Sequence, residues 1–232
     1  MVYLYYQTME LEIRIKMNDR LYLRNPEDSL LGKKIVTQGI LLINKIGFEE
    51  FTFKKLAKEL KSTEASIYRY FENKHKFLVY LITWYWSYVE YKVLFNTNNL
   101  HNPELKLKTI IKLLVEEPPK SKLVTEFIPE QDAYKLVMWE GSKTYLTRSV
   151  TKDNKDRLFK PYKDLCARIS SVIKEYNPNY KFPNFLASSL LELSHSQKFF
   201  MQNLPSLTDS NSPDDKKLTS FLEQFLFKTL SE

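Results

Sequence analysis

The chain runs to 232 residues with 43% hydrophobic content, 27% charged content and a net charge of +7, enough for one or two globular domains and a bias toward polyanionic partners. Its four glycines are too few for glycine-rich phosphate loops or sandwich architectures, and they favour helices. One cysteine, Cys166, excludes an internal disulfide and fits a reducing cytoplasm, and no apolar run of about 18 residues exists to span a membrane.

The charge excess is local. Residues 29–78 hold ten Lys or Arg against five Asp or Glu, whereas the rest of the chain holds 25 against 23. That segment is either a polyanion-binding face or a solvated basic helix surface. Tyr3, Tyr5 and Tyr6 open the chain without the basic-then-apolar order of a signal peptide, and Met1 and Met9 both stand as candidate starts.

Residues 9–24 alternate through Leu11, Ile13, Ile15, Leu21 and Leu23 around an Asn18-Asp19 pair, the pattern of an arm or short hairpin. Arg14, Lys16, Arg20 and Arg24 lie on or near its other face, so the arm either touches DNA or packs on the body. From Ser29 the period becomes helical. Ile35, Gly39, Leu42 and Ile46 form a stripe, Asp28 or Ser29 can cap its start, and Gly47 fits the left-handed position at its end. Thr52 caps a second helix that turns Phe53, Leu56, Ala57 and Leu60 inward. Thr63 caps a third, with Ile67, Tyr70 and Phe71 inward. Asn73 caps a fourth that reaches about Phe95, roughly 33 Å, long enough to join a small unit to a second body.

Further helices are expected over 103–117, ended by Pro118-Pro119, over 132–150, then over 161–176, 182–204 and 214–230. A charged loop, TKDNKDR, follows the 132–150 helix, and a polar linker fills 206–213. The fold class is therefore all-α, with about nine helices and no substantial sheet.

The stretch from Thr52 to Lys74, TFKKLAKELKSTEASIYRYFENK, is the most informative. It reads as two short helices joined by a tight turn with a basic, hydroxyl-rich outer face, a unit suited to docking a helix in the DNA major groove. Together with the glycine-ended first helix, FEEFTFKKLAKEL and STEASIYRYFENKHKFL resemble the N-terminal domain of TetR-family regulators over about residues 29–78. The chain departs from the family's turn, which carries glycine and a small apolar residue where Lys61 and Ser62 stand here. Lys61 must then take a positive φ or the turn must change.

The resemblance implies a three-helix helix-turn-helix domain over 29–78, preceded by the 1–28 arm. The long fourth helix then leads into a helical effector-binding and dimerisation domain over 79–232. It implies that the third helix enters the major groove with Glu64, Ala65, Ser66 and Arg69 outward and Tyr68 at the edge. Arg69 then reads guanine or pairs with phosphate. Glu64 accepts from cytosine N4 or simply supports the helix dipole. Ser66 and Tyr68 hydroxyls suit phosphate oxygens, Tyr68 alternatively serving the core. Lys74, at the start of the fourth helix, is positioned to hold a phosphate, as are Thr52, Thr63, Lys33 and Lys54, the threonines alternatively acting only as caps. The expected partners are double-stranded DNA at a palindromic operator, a second copy of the chain, and a small-molecule effector, with no cofactor and no membrane.

Two further groups are candidates. Trp84, Tyr85, Tyr88 and Tyr91, with Trp139 and Tyr145, line an effector pocket or form aromatic core. Phe185, Leu190, Leu193, Phe199, Phe221 and Phe225 form a dimer face on the last two helices or belong to the monomer core. Catalysis is not expected: His75, His101 and His195 lack neighbouring ligands at zinc spacing, and no nucleophile-elbow or phosphate-loop motif occurs. Asp153, Asn154 and Asp156 lack the glycine and glutamate of a calcium loop and read as a solvated loop. The competing function is a basic helical interaction or membrane-surface protein without specific DNA binding.

Overall fold

The computed structural model describes residues 15–118, 127–210 and 212–231. Ten α-helices appear among them: α1 Leu30–Ile46, α2 Phe53–Glu59, α3 Glu64–Tyr68, α4 Lys74–Thr97, α5 Pro103–Val115, α6 Glu130–Glu140, α7 Val150–Lys155, α8 Lys160–Tyr176, α9 Pro183–Asn203 and α10 Asp215–Ser231. No strand element occurs among the described residues.

Each of the first five helices begins where a side chain satisfies a backbone N–H that the helix itself leaves unbonded. Ser29 accepts from Gly32, Thr52 from Lys55, Thr63 from Ser66, Asn73 from Lys76 and Asn102 from Leu105. α1 stops at Gly47, whose φ of 78° suits a residue without a Cβ. α2 stops at Lys61, at φ 50°. There the Ser62 N–H donates to Ala57 O at 2.9 Å and the Lys61 N–H to Lys58 O at 3.1 Å. This is the glycine-type helix ending, built with a lysine in the left-handed conformation.

α4 carries the architecture. Every residue from Phe77 to Trp86 is buried, so the helix is covered on all sides rather than amphipathic. Its first turns pack on α1–α3, with Phe77 against the rings of Phe51 at 5.6 Å and Phe71 at 4.8 Å. Its remainder packs on α5, α6 and α8. α9 lies along α8, and α10 closes against α5 and α9. The buried residues form one continuous apolar cluster from head to body. A Cβ built at Gly39 would stand 2.3 Å from the tip of the fully buried Phe77 ring, so α1 approaches α4 as closely as it does only with glycine there.

Three expectations change. The hairpin expected over 9–24 falls partly outside the described residues. Its described part, from Ile15 on, makes one turn of 3-10 helix at Asp19–Leu21 instead, and a second follows just beyond it at Pro26–Asp28. The Asn18 side chain accepts from Arg20 N–H and so starts a turn rather than reversing a strand. This stretch packs on the body: Met17 and Leu21 are buried, the Leu23 N–H donates to Tyr70 O at 2.7 Å, and Arg20 pairs with Asp156.

The helix expected over 132–150 ends at Glu140. Gly141–Thr144 tightens to a 3-10 turn, where the Thr144 hydroxyl donates to Gly141 O at 2.7 Å and competes with helix continuation. The TKDNKDR loop is largely helix α7, with Asp153 buried in it.

The Gly39 geometry yields a stability test. Gly39→Ala should destabilise the fold by about 1–3 kcal/mol through overpacking against Phe77, measured as a lowered urea midpoint. An unchanged midpoint would show that α1 and Phe77 give way without cost.

Candidate nucleic-acid interface and the cavities behind it

The α2–turn–α3 unit turns Leu56, Ala57 and Ile67 inward and leaves a polar face outward. Thr52, Lys54, Thr63, Ala65, Tyr68 and Arg69 are exposed, while Glu64 and Ser66 are half-buried. Tyr68 is 46% exposed yet packs edge-on against Phe53 at 5.0 Å, so its ring belongs to the core and its hydroxyl end faces outward. Ser66 shares a hydroxyl hydrogen bond with Thr63 at 2.8 Å. Among the described residues Arg69 makes no ion pair, whereas Lys55 pairs with Glu50 and Lys33 lies over the Phe127 ring.

Lys74 departs from expectation. Its ammonium donates to three carbonyl oxygens, Phe48 at 3.2 Å, Glu49 at 3.1 Å and Phe51 at 3.3 Å, and sits over the Phe48 ring. All three ammonium N–H groups are taken by the α1–α2 connection. Lys74 therefore pins that connection to the start of α4, and an ammonium–phosphate contact would break this arrangement.

Two buried carboxylates fasten this head to the body. Glu140, at the end of α6, accepts the Phe48 N–H at 3.0 Å and pairs with Lys143, which also reaches Glu49. The same side of α1 is tied by Thr37 donating to Phe127 O and Asn44 donating to Asp132 O at 2.9 Å. Asp153 of α7 lies 2.9 Å from His75 Nε2 and 3.5 Å from Lys76 Nζ, and accepts from the Ser149 hydroxyl at 3.1 Å. Burial alone would raise the Asp153 pKa. The hydrogen bonds from His75 and Ser149 and the Lys76 charge outweigh it and hold the carboxyl below its ordinary range. His75 was expected to stand alone, and its acid partner lies 78 positions away in sequence.

Behind the head lie two cavities that share Trp86 and Tyr145. The larger, about 590 Å³, is walled mainly by apolar atoms of Ile82, Trp86, Phe159 and Tyr162, with Val150, Thr151 and Asn154 of α7 at one side and Cys166 at another. The smaller, about 250 Å³, lies between α6 and α9 and includes Trp139, Phe199, Phe200 and Glu192.

The Glu192 carboxylate accepts from the hydroxyls of Tyr145 at 3.0 Å and Tyr162 at 2.7 Å. Burial and then the Glu192 charge push both phenols well above their ordinary range. Burial pushes the Cys166 thiol to about 11, the neutral form of a packing cysteine. No group of three or more His, Cys, Asp or Glu that could hold a metal gathers among the described residues.

The expected pocket residues divide. Tyr145 lines both cavities and Trp139 the smaller one. Trp84, Tyr85 and Tyr88 are buried core, and Tyr91 stacks on Phe95 near the end of α4. The larger cavity instead meets the Ile82–Thr83–Trp86 face of α4, and the smaller meets α4 at Trp86 alone. Those residues share a face by their spacing of three and four, but a helix apolar on every side gives no reason to prefer that face.

The expected dimer face divides as well. Phe185 is 75% and Phe221 45% exposed, whereas Leu190 is fully buried in the monomer core. Leu193 and Phe225 pack partly on that core, and Phe199 meets Trp139 edge-on.

Residues 35–81 match the family model of bacterial regulatory proteins, tetR family. No curated protein matches the sequence. Among solved structures, AibR in complex with isovaleryl coenzyme A and operator DNA aligns at 14% identity and a TM-score of 0.58, covering 84% of this chain and 98% of its own. A putative transcriptional regulator from Saccharomonospora viridis in complex with choline aligns at 14% identity and 0.61, covering 84% and 94%. The fatty acid degradation regulator FadR from Bacillus halodurans aligns at 18% identity and 0.56, covering 83% and 96%. Such identities establish the shared fold.

The Asp153 cluster yields a pH-dependent test. Its depressed pKa contributes stability above the ordinary carboxylate range that is lost as pH falls through the folded value. Asp153→Asn should therefore cost about 1–3 kcal/mol near neutral pH, with the gap to the parent protein closing as pH falls below the ordinary carboxylate range. A gap independent of pH would place the cost in packing rather than in charge.

Proposed function

We propose that this DNA-binding transcriptional regulator, whose head is a DNA-binding domain of the tetR family, acts as a homodimeric repressor controlled by a small-molecule effector. The observation that carries the reading is the outward face of α3 and its surroundings. Ala65, Tyr68 and Arg69 stand exposed beside Thr52 and Lys54, on an all-helical frame whose residues 35–81 match the family model. On this reading residues 29–78 form the DNA-binding unit and 79–232 the effector and dimer unit.

The residues divide by task. Arg69, exposed and without an ion pair among the described residues, pairs with guanine or phosphate, and Glu64 sets specificity by repulsion at wrong sites. Thr52, Lys54, Thr63, Ser66 and Tyr68 touch phosphate, with Lys33 at the margin. Lys74 acts by holding the α1–α2 connection in place. Two heads on a palindrome require a dimer, and the exposed Phe185 of α9 and Phe221 of α10 are its candidate contacts.

The larger cavity is the candidate effector site, with a volume in the range of small-molecule pockets. The ligand-bound forms of AibR and of the choline-bound regulator support that assignment. The effector would act by population shift. It touches α7 next to Asp153, and Asp153 holds the first turn of α4 directly after α3. No helix among the described residues is long and apolar enough to cross a membrane. We read the protein as a cytoplasmic non-enzyme.

Binding to DNA from upstream of the chain's own gene, followed by fluorescence anisotropy with excess competitor at two salt concentrations, tests this reading. A specific complex should survive competition. Arg69→Ala should weaken it roughly tenfold at the sites it reads, and Lys54→Ala should weaken all sequences evenly and flatten the salt slope by about one. A complex lost to competitor and a monomer by light scattering would together favour a basic helical interaction protein.

A further inference from the structure

We propose that the smaller cavity between α6 and α9 binds the ammonium head of an organic cation whose apolar body occupies the larger cavity. The proposal rests on the reading of the helical body as an effector domain and names the chemical class of the effector.

The smaller cavity is an aromatic box with one acid. Trp86, Trp139, Tyr145, Phe199 and Phe200 line it together with Glu192. Ring faces of this kind attract cations, tryptophan most strongly, and aromatic cages are how proteins recognise quaternary ammonium groups. Trp139 is 55% exposed and packs edge-on against Phe199 at 5.1 Å, so a large ring is held at the opening rather than buried.

Glu192 supplies the charge. It is the single carboxylate lining this cavity, which His195 also lines, and among the described residues it has no Lys or Arg ion-pair partner. Its hydrogen bonds come from the neutral phenols of Tyr145 and Tyr162, which orient the carboxylate and leave its negative charge unbalanced. His195 donates its Nδ1–H to Leu191 O at 2.8 Å, and burial holds its pKa below the ordinary histidine value, which favours the uncharged ring.

The volumes divide the ligand. About 250 Å³ is small for a drug-sized molecule but suits a headgroup, while about 590 Å³ suits a body. Trp86 and Tyr145 line both cavities, so the two adjoin at these rings, and a ligand with its head in one and its body in the other would pass them. Its head would then touch Met138, Trp139 and Gly141, beside the Glu140 that holds the Phe48 N–H of the DNA-binding head.

Calorimetric titration of the full chain without DNA tests the proposal, using hexyltrimethylammonium, 1-hexanol and hexanoate as probes. The cation should bind about tenfold tighter than hexanol. Glu192→Gln should bring the two level. Trp139→Leu, at an exposed position that leaves the fold intact, should weaken the cation about fivefold and leave hexanol unchanged.

Hexanoate binding tightest, or undiminished cation binding by both variants, would overturn the proposal. Because no DNA is present, a failed titration leaves specific DNA binding to be judged separately. Likewise, a protein that binds the cation but no operator would refute the regulator reading alone.

Discussion

The burial of α4 on every side is the constraint from which the rest follows. From Phe77 to Trp86 it has no solvent face, and its two ends belong to different tasks. The first turns complete the core under the helix-turn-helix through Phe77 with Phe51, Phe53 and Phe71. The later turns wall the larger cavity through Ile82, Thr83 and Trp86, and Trp86 also lines the smaller one. A packed interior does not deform smoothly, so a shift at one end of such a rod has to be met by repacking at the other.

Two buried carboxylates give that rod its fixed relation to the helix-turn-helix head. Glu140 holds the α1–α2 connection from the α6 side, and Asp153 holds the start of α4 from the α7 side. Each stands next to residues that line a cavity, Trp139 and Gly141 in one case, Thr151 and Asn154 in the other. Breaking a buried, hydrogen-bonded charge pair is costly, so these contacts favour discrete arrangements of the head over gradual ones. Lys74 extends the same chain of contacts across to Phe48, Glu49 and Phe51.

The head was legible in the sequence because its determinants are local. Ser29, Thr52, Thr63 and Asn73 cap the helices that their positions implied, and of the two ways to end α2 without glycine, a positive φ at Lys61 or a different turn, the chain uses the first. The body was less legible because its determinants are distant or symmetric. Asp153 read as part of a solvated loop since its partners, His75 and Lys76, are supplied by another helix. Trp84 and Trp86 could not be told apart on a helix that is apolar all round, and only the fold decides that Trp84 is core and Trp86 faces the cavities. Leu190 and Phe185 lie on the same apolar helix, yet one is buried and the other exposed.

Hydrogen exchange of the head amides in Glu140→Ala protein tests the coupling most directly, because Glu140 belongs to the body and touches the head through the Phe48 N–H. If the body sets the position of the head, exchange should quicken at Phe48 and spread to the Tyr70 and Phe71 amides at the end of α3, while α8 and α9 stay protected. Faster exchange confined to Phe48 would contradict the coupling and leave the head as an independent module that the cavities do not reach.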